Sequence, residues 1–513
     1  MSEGGTLQMA GRRDGLAALA GIAAGAVTVG VGALVALVAG PTSDPLVAVG
    51  SAFVDATPGW LKDVAVSTFG TADKVVLGIG EAVVLLALAA LAGVLAARRW
   101  AWGATLVVVL GAVAGLAAMG RPEAGILAPA PAIAGAIAGL LVLRELIRRL
   151  PAAEPRDEGV QRRTFLQAAL AAGALGVVAV VVGRAIGAGA RGAQAARTAL
   201  RIPRATTTAA PVPAGVQVGV DGVGPWQTPA AEFYRIDTAL VVPQVDPSTW
   251  SLRVHGMVEQ EITLTWDELL AGDLVEAWVT LACVSNPVGG DLIGNQLWLG
   301  LPIADLLARA RPTGDADMVL SRSVDGFTAS TPLEALTDGR DALLAIAMDG
   351  EPLPLEHGFP VRMVVPGLYG YVSATKWVTD LEVTRFADAT SYWTDRGWSP
   401  EGPVKTQSRI EVPRHGSSVP AGSVVVAGTA WAQHRGVTGV QVRVDEGSWN
   451  DATLADDGGI DTWRQWSWTW DAEPGSYLLY VRASDPQGPQ TGAVADVVPD
   501  GATGYDSVRV TVT

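Results

Sequence analysis

The stretch that decides the fold of this protein is 280-TLACVSNPVGGDLIGNQLWLGLPIADLL-307. Its apolar beginning predicts a buried strand that ends at Cys283, and the Pro, Gly and Asn residues after it predict a loop. Loops held by a rigid scaffold often place reactive side chains beside a cleft. Cys283 is the single cysteine among 513 residues, so no disulfide can form within the chain. The segment therefore puts one thiol at the end of a strand.

This thiol can be inert or can bind a metal, and the residues alone leave both interpretations open. A lone cysteine in a long chain is most often a buried apolar side chain. A thiolate is also a soft ligand that suits a thiophilic metal of high valence, and coordination removes the thiol proton. A zinc–thiolate site needs more than one cysteine, and the sequence contains neither HExxH nor GxxxxGK[ST]. Zinc–thiolate sites are thus excluded, and P-loop nucleotide folds have no support.

Further blocks flank this segment on both sides. They are 233-FYRID-237 and 252-LRVHG-256 upstream, and 357-HGFPVR-362, 366-PGLYG-370 and 376-KW-377 downstream. In order and spacing, these blocks and the Cys283 segment resemble the sulfite oxidase family of molybdopterin enzymes. The resemblance extends from about residue 231 to the end of the chain.

The resemblance implies a molybdenum–molybdopterin cofactor and a chemistry. The metal would be bound by one pterin dithiolene and by the thiolate of Cys283, and would cycle between Mo(VI) and Mo(IV) during oxygen-atom transfer. Catalytic roles are implied for Cys283 and Arg235. A guanidinium fork or an ammonium group suits a phosphate and a polar heterocycle. The cofactor-binding residues that the resemblance implies are Cys283, Asn286, His357, Arg362, Gly367 and Lys376.

Two departures from the family pattern concern the substrate. Sulfite-oxidising members carry an arginine pair just after the asparagine, whereas this chain has Pro287, Val288 and Gly289 there. The opening block of the family has a histidine where this chain has Asp237. An apolar, less cationic pocket is unfavourable for desolvating sulfite. Sulfite therefore stays one candidate, and a neutral S-oxide or N-oxide that is reduced with electrons from a membrane partner is the other.

Residues 1–160 are predicted to form four transmembrane helices, at 15–40, 75–97, 101–119 and 124–143, and a fifth follows at 165–190. Arginines cluster before the first helix, after the second, and between the fourth and the fifth. By the positive-inside rule these clusters are cytoplasmic. Five crossings then place residues 191–513 on the extracytoplasmic side of the cell membrane.

The start of the fifth helix carries a second signal. The segment 161-QRRTFLQ-167, within the region 161–190, resembles a twin-arginine signal. Ordinary positive-inside arginines explain the arginine pair but not the Phe-Leu that follows it. Since no cleavage site stands out, we expect the helix to be retained.

Few polar groups lie within the predicted helices. Glu81 is the one acid there, and it is either an interfacial side chain or a functional group. All four histidines lie beyond residue 250, which excludes a bis-histidine haem between these helices.

The remaining chain divides into three parts by its pattern. Residues 191–230 are rich in Ala, Thr, Pro and Gly and predict a linker. Residues 231–402 mix short strands and helices, which predicts an α+β catalytic domain. Residues 403–513 alternate in a way typical of an immunoglobulin-like β-sandwich. This last part resembles the family's dimerisation domain, which implies a homodimer.

The balance of charge limits the partners. The net charge of −15, with no basic patch after residue 200, argues against binding of nucleic acid. We expect a multi-pass protein in contact with membrane lipid, a small-molecule substrate and an electron-transfer partner that the sequence does not identify. Two alternatives stay open: a transporter with a soluble binding domain, and a non-enzymatic binding module tethered to the membrane.

Overall fold

The computed structural model describes residues 3–58, 61, 68, 73–121, 124–151, 158–186 and 190–513. Parts of the stretch between the first two predicted membrane helices lie outside these residues. The chain forms two compact units: Met1–Gly192 with Ala239–Val242, and Ala193–Thr238 with Pro243–Thr513.

The first unit is helical in its described residues. Five of its helices are long and apolar enough to cross a membrane, at Arg13–Ala39, Val76–Arg98, Trp100–Met119, Ala130–Arg148 and Gln161–Gly183. The helix bounds are α1 Glu3–Ala39, α2 Pro45–Ala56, α3 Asp73–Arg98, α4 Trp100–Met119, α5 Ala130–Arg148 and α6 Glu158–Ile186. The prediction of five apolar helices is confirmed, and the shorter helix α2 lies between the first two of them.

Helix α5 is displaced from its predicted position at 124–143. It begins at Ala130, directly after Pro129 and with Pro131 in its first turn, and it continues to Arg148. Proline is favoured in the first turn of a helix, where its missing N–H leaves no hydrogen bond unmade. Hydropathy alone placed the start too early because it does not register this signal. Within this unit α1 packs against α3, α5 and α6.

The second unit contains one mixed sheet and one antiparallel sheet in its first part. One has the order β2-β1-β10-β5-β6, and the other has the order β3-β4-β7-β8 with β9 beside β7. The strands are β1 Ser251–Gly256, β2 Ile262–Thr265, β3 Val275–Ala282, β4 Ile293–Pro302, β5 Met318–Ser323, β6 Thr328–Pro332, β7 Leu343–Met348, β8 Glu351–Pro352, β9 Arg362–Val364 and β10 Val378–Thr384. The helices are α7 Ala190–Ala199, α8 Trp266–Leu270, α9 Ile303–Ala310 and α10 Gly370–Ser373. This mixed α and β architecture agrees with the α+β prediction.

Two further sheets follow and share an apolar core that includes Val426, Trp466 and Val481. Their orders are β11-β13-β17-β16 and β12-β20-β18-β14-β15, with β19 beside β18. The strands are β11 Gln407–Val412, β12 Ser417–Val419, β13 Gly422–Trp431, β14 Gly439–Val444, β15 Asn450–Asp451, β16 Thr453–Leu454, β17 Arg464–Ala472, β18 Gly475–Asp485, β19 Gly488–Pro489 and β20 Asp506–Val512. The region is β-rich as expected, and its immunoglobulin-like type stays a prediction.

The stretch 191–230, predicted to be an irregular linker, has structure of its own. It holds most of α7, because Ala and Arg are strong helix formers. Further on, Thr206 N donates a hydrogen bond to the carbonyl of Leu274 (2.7 Å), and Trp226 is buried in the core of the second unit. These residues pack within the second unit. Their composition predicted a linker because it carries no information about these tertiary contacts.

Candidate functional site

Cys283 follows the last residue of β3, which pairs antiparallel with β4 along its whole length. Its backbone N–H donates to the carbonyl of Leu292 (2.9 Å), and its carbonyl accepts from the N–H of Asn286 (3.2 Å). The side-chain Oδ1 of Asn286 accepts from Leu292 N (2.9 Å). These bonds close the loop, so Asn286 fixes the backbone that carries the thiol.

The thiol itself is buried. Burial raises the pKa of Cys283, while hydrogen bonds from Ser285 and the charge of Lys376 oppose this rise. A bound metal cation would reverse the balance, because coordination deprotonates a thiol. The described residues contain no group of three or more His, Cys, Asp or Glu side chains that could hold a metal. A metal here would thus have Cys283 as its protein ligand and would need other ligands from a cofactor.

Arg362 lies on β9 and is 4% exposed. Its guanidinium lies 5.1 Å from the ring centroid of Trp298 and donates to the carbonyls of His357 and Met363, both at 3.3 Å. Burial lowers the pKa of Arg362 to about 10. No carboxylate of the described residues pairs with this cation, and a buried cation without a counter-charge is unfavourable. An anion such as a phosphate would complete the site.

His357 is buried beside Arg362, and its Nδ1 atom has no hydrogen-bond partner. Burial, together with the charges of Lys376 and Arg362, lowers the pKa of His357 to about 3. The imidazole is therefore neutral at physiological pH. Buried polar atoms are nearly always hydrogen-bonded in native proteins, so this ring nitrogen is suited to a ligand.

Lys376 reaches the same region from the segment before β10. Its Nζ donates to Asp237 Oδ2 and to the carbonyl of Glu356, both at 2.9 Å. Arg235 Nε donates to the same Asp237 oxygen at 2.9 Å. Burial lowers the pKa of Lys376 to about 8, although Asp237 opposes this shift. The predicted lysine thus lies in the site, and it shares a carboxylate with the predicted Arg235.

Gly367 has a left-handed backbone conformation with φ of +82°. A Cβ atom there would lie 2.8 Å from the Cβ of His434. Only glycine fits both constraints, and its missing side chain lets His434 pack directly against the loop. The neighbouring Pro366 carbonyl accepts a hydrogen bond from Arg340 Nη1 (2.9 Å), which holds the loop in place.

The structure adds residues that sequence reasoning did not assign. The charge of Cys283 and burial both raise the pKa of Tyr234, so this phenol is neutral and near the thiol. His434 lies against Gly367, with its Nδ1 3.2 Å from Asp461 Oδ1. The signal for Tyr234 was its place directly before Arg235 in the opening block. Nothing in the sequence pairs His434 with a loop 67 residues earlier.

The predicted site residues therefore come together. His357 is close enough to Lys376, Arg362, Arg235 and Asp237 for their charges to change its pKa. Tyr234 in turn responds to both Cys283 and Arg362. One thiol, one buried guanidinium and one imidazole nitrogen without a partner thus share a single region.

Comparison with known proteins gives the region an assignment. A family model described as "Oxidoreductase molybdopterin binding domain" matches residues 239–393. The chain is 32% identical over 274 residues to mitochondrial sulfite oxidase of Rattus norvegicus, which covers 45% of this chain and 49% of that enzyme. It is 33% identical over 193 residues to nitrate reductase [NADH] 1 of Oryza sativa subsp. japonica, or 32% of this chain and 21% of that enzyme.

A shorter relative is matched over most of its length. The chain is 31% identical over 180 residues to "Uncharacterized oxidoreductase YuiH" of Bacillus subtilis (strain 168), which covers 35% of this chain and 87% of that protein. The chain belongs to the sulfite oxidase family of molybdopterin-dependent oxidoreductases. It spans about half the length of the mammalian sulfite oxidases that it matches.

The residues of this sulfite oxidase family member fit a molybdopterin cofactor in three respects. Cys283 supplies a thiolate, and the described residues contain no group of three or more His, Cys, Asp or Glu side chains that could hold a metal by itself. Arg362 is a buried cation without a carboxylate, which suits the phosphate of the cofactor. The Nδ1 atom of His357 is a buried polar atom without a partner, which suits a polar heterocycle.

Proposed function

We propose that this chain is a membrane-anchored, extracytoplasmic molybdopterin-dependent oxidoreductase that transfers an oxygen atom to or from a small sulfur- or nitrogen-containing compound. Family membership and the site around Cys283 support the enzyme class. The observation that carries the proposal is the buried thiol next to a buried cation and an imidazole nitrogen, neither of which has a suitable partner within the protein.

Each residue of the site has a role in this proposal. When bound, the cofactor supplies a metal that accepts and returns an electron pair while an oxygen atom moves. Cys283 would be its protein ligand, and Asn286 fixes the loop behind that ligand. Arg362 would neutralise the phosphate, and His357 would donate or accept one hydrogen bond to the pterin. Gly367 would let the backbone approach the cofactor.

Lys376 and Arg235 complete the proposed assignment. Lys376 would contribute a positive charge near the pterin, and Asp237 would neutralise part of that charge. Arg235 would face the substrate, since its side chain is 35% exposed while its Nε is held by Asp237. A guanidinium held in this way can still donate from its outer nitrogens to an oxygen of a bound compound.

Two reactions are compatible with this site. Sulfite and water would give sulfate, two protons and two electrons for an acceptor. In the opposite direction, an S-oxide or N-oxide, two protons and two electrons would give the reduced compound and water. The absence of an arginine pair at Pro287–Gly289 favours the second, because an uncharged oxide has a smaller desolvation cost than a dianion.

The arginine distribution along the first unit supports an extracytoplasmic position for the second. The segment beginning at Arg162 and Arg163 opens α6, as a twin-arginine-type signal would. Such a route carries folded domains, which fits a cofactor that is inserted before transport. The exposed apolar faces of α3 and α4 would contact lipid or an electron-transfer subunit. Pairing through residues 403–513 would give a homodimer.

The test uses the full-length protein purified in detergent. We expect molybdenum and pterin in equal amounts, and turnover of an S-oxide or N-oxide with a reduced artificial dye. Sulfite with an oxidised dye serves as the competing substrate. A protein without molybdenum, or one whose metal and turnover survive Cys283→Ser, would contradict the proposal and favour a binding module.

A further inference from the structure

The carboxylate of Asp237 binds two of the three cations in the site. Its Oδ2 atom lies 2.9 Å from both Lys376 Nζ and Arg235 Nε. The side chains of Asp237 and Lys376 are only 6% and 9% exposed. At this burial the charges are weakly screened by water, so the acid cancels much of the positive field that the two cations would create.

Arg362, the third cation of the site, is available to bind an anion other than Asp237. Arg362 has no carboxylate partner, and the fit described above assigns it to the phosphate of the cofactor. With that phosphate bound, Arg235 and Lys376 still share the one carboxylate of Asp237, so a single net positive charge remains between these two cations. A dianion that entered it would lose its hydration without gaining a matching charge.

The loop after Cys283 points to the same conclusion independently. Gly289 has φ of +75°, and a Cβ there would collide with the carboxylate of Asp506, so the loop cannot hold an arginine at this position without rearranging. The arginine that reaches the loop is Arg409, whose Nη1 donates to the carbonyl of Gly290 (3.0 Å). Arg409 is itself paired with Glu411 at 2.8 Å. This cation, too, is already balanced by an acid.

We propose that Asp237 determines substrate specificity. It weakens the binding of dianionic substrates and so favours uncharged S-oxides or N-oxides. The inference rests on the proposed function and narrows its substrate class. Asp237 acts through Arg235 and Lys376: it orients their donors and halves their net positive charge. An uncharged oxide still finds a hydrogen-bond donor at Arg235, whereas the two negative charges of sulfite or sulfate meet only one net positive charge.

The first test measures the binding of sulfate, a dianion that the enzyme cannot oxidise further. Calorimetry on the full-length holoprotein should give a sulfate affinity about tenfold tighter for Asp237→Asn than for wild type. Asp388→Asn is the matched control, because Asp388 also pairs with an arginine, Arg385, but on the surface. Equal sulfate affinity in wild type and Asp237→Asn would overturn the inference.

A second variant guards against loss of the cofactor. Molybdenum content is measured first, and Asp237→His replaces Asp237→Asn if the latter does not retain metal. Loss of metal in both would show that Asp237 serves cofactor retention and would overturn the inference. In either variant the ratio of kcat/KM for sulfite to that for an S-oxide should rise about tenfold. If wild type turns over no substrate, the proposed function fails while the sulfate titration still decides the role of Asp237.

Discussion

Two cations in the site differ in how the protein balances them. Arg362 is buried against Trp298 and donates only to backbone carbonyls at 3.3 Å. Lys376 is similarly buried but has a carboxylate at 2.9 Å. A buried cation without a carboxylate partner is unfavourable until a bound anion supplies the counter-charge. A buried cation that is paired with a carboxylate already has its counter-charge. We therefore expect Arg362 to bind the cofactor, and Lys376 with its carboxylate to set the charge near the substrate.

The largest expected effect belongs to the thiol of Cys283. Cys283→Ser should lower bound molybdenum and turnover by at least about 100-fold, because a hydroxyl is a poor substitute for a soft thiolate ligand. Metal analysis and a dye-linked assay measure both quantities. Retention of metal by the serine variant would mean that Cys283 is an ordinary buried side chain.

The next effect tests the comparison directly. Arg362→Met should reduce the retained cofactor by about 10- to 100-fold, since it removes charge-assisted hydrogen bonds to a phosphate. Lys376→Met should reduce it less, by about threefold, because Asp237 already cancels most of that charge. Pterin released from equal amounts of purified protein gives the values, with Arg385→Met as a surface control. Equal losses in the two site variants would remove the distinction between the two cations.

The third effect concerns pH. The pKa of His357 is lowered to about 3, below its ordinary value of 6.5, so the unfolded chain binds a proton that the folded chain does not. Stability from this group is complete above pH 6.5 and is lost as the pH falls toward 3. The thermal unfolding midpoint of the cofactor-free protein should therefore drop between pH 7 and pH 5, and should drop less in His357→Gln. An identical decrease in both proteins would contradict the buried, neutral imidazole.

The smallest effect is expected for an exposed pair in the first unit. Arg98 and Asp14 lie 2.8 Å apart with side chains 65% and 41% exposed. Water and salt screen such a pair, so Arg98→Gln should change the unfolding free energy by less than about 1 kcal/mol. A thermal shift of the detergent-solubilised protein checks this. A change in unfolding free energy as large as that caused by substitution of a buried residue would show that side-chain exposure does not determine the order of these effects.

The parts of the fold that local patterns determine could be predicted from the sequence. Strand β3 ends one residue before Cys283, and His357 and Arg362 of 357-HGFPVR-362 lie close together because they are only five positions apart. The apolar helices follow from length and hydropathy. Helix α5 was misplaced because Pro129, rather than hydropathy, determines its start.

The contacts that determine the chemistry could not be predicted. Lys376 and Asp237 are 139 residues apart, and only the folded sheets bring them together. The sequence showed that Asp237 departs from the family pattern, but not which cations it binds. Likewise, Gly289 looks like an ordinary loop glycine until the carboxylate of Asp506 is placed beside it. Pairing between distant segments depends on tertiary packing, which no local pattern encodes.

The central claim is that a single thiol holds a molybdenum–pterin group, and metal spectroscopy tests it most directly. X-ray absorption at the molybdenum edge of the full-length wild-type protein should show molybdenum with one sulfur ligand beyond those of the pterin dithiolene. A wild-type protein without molybdenum, or one whose molybdenum has only the dithiolene sulfurs as sulfur ligands, would contradict the account.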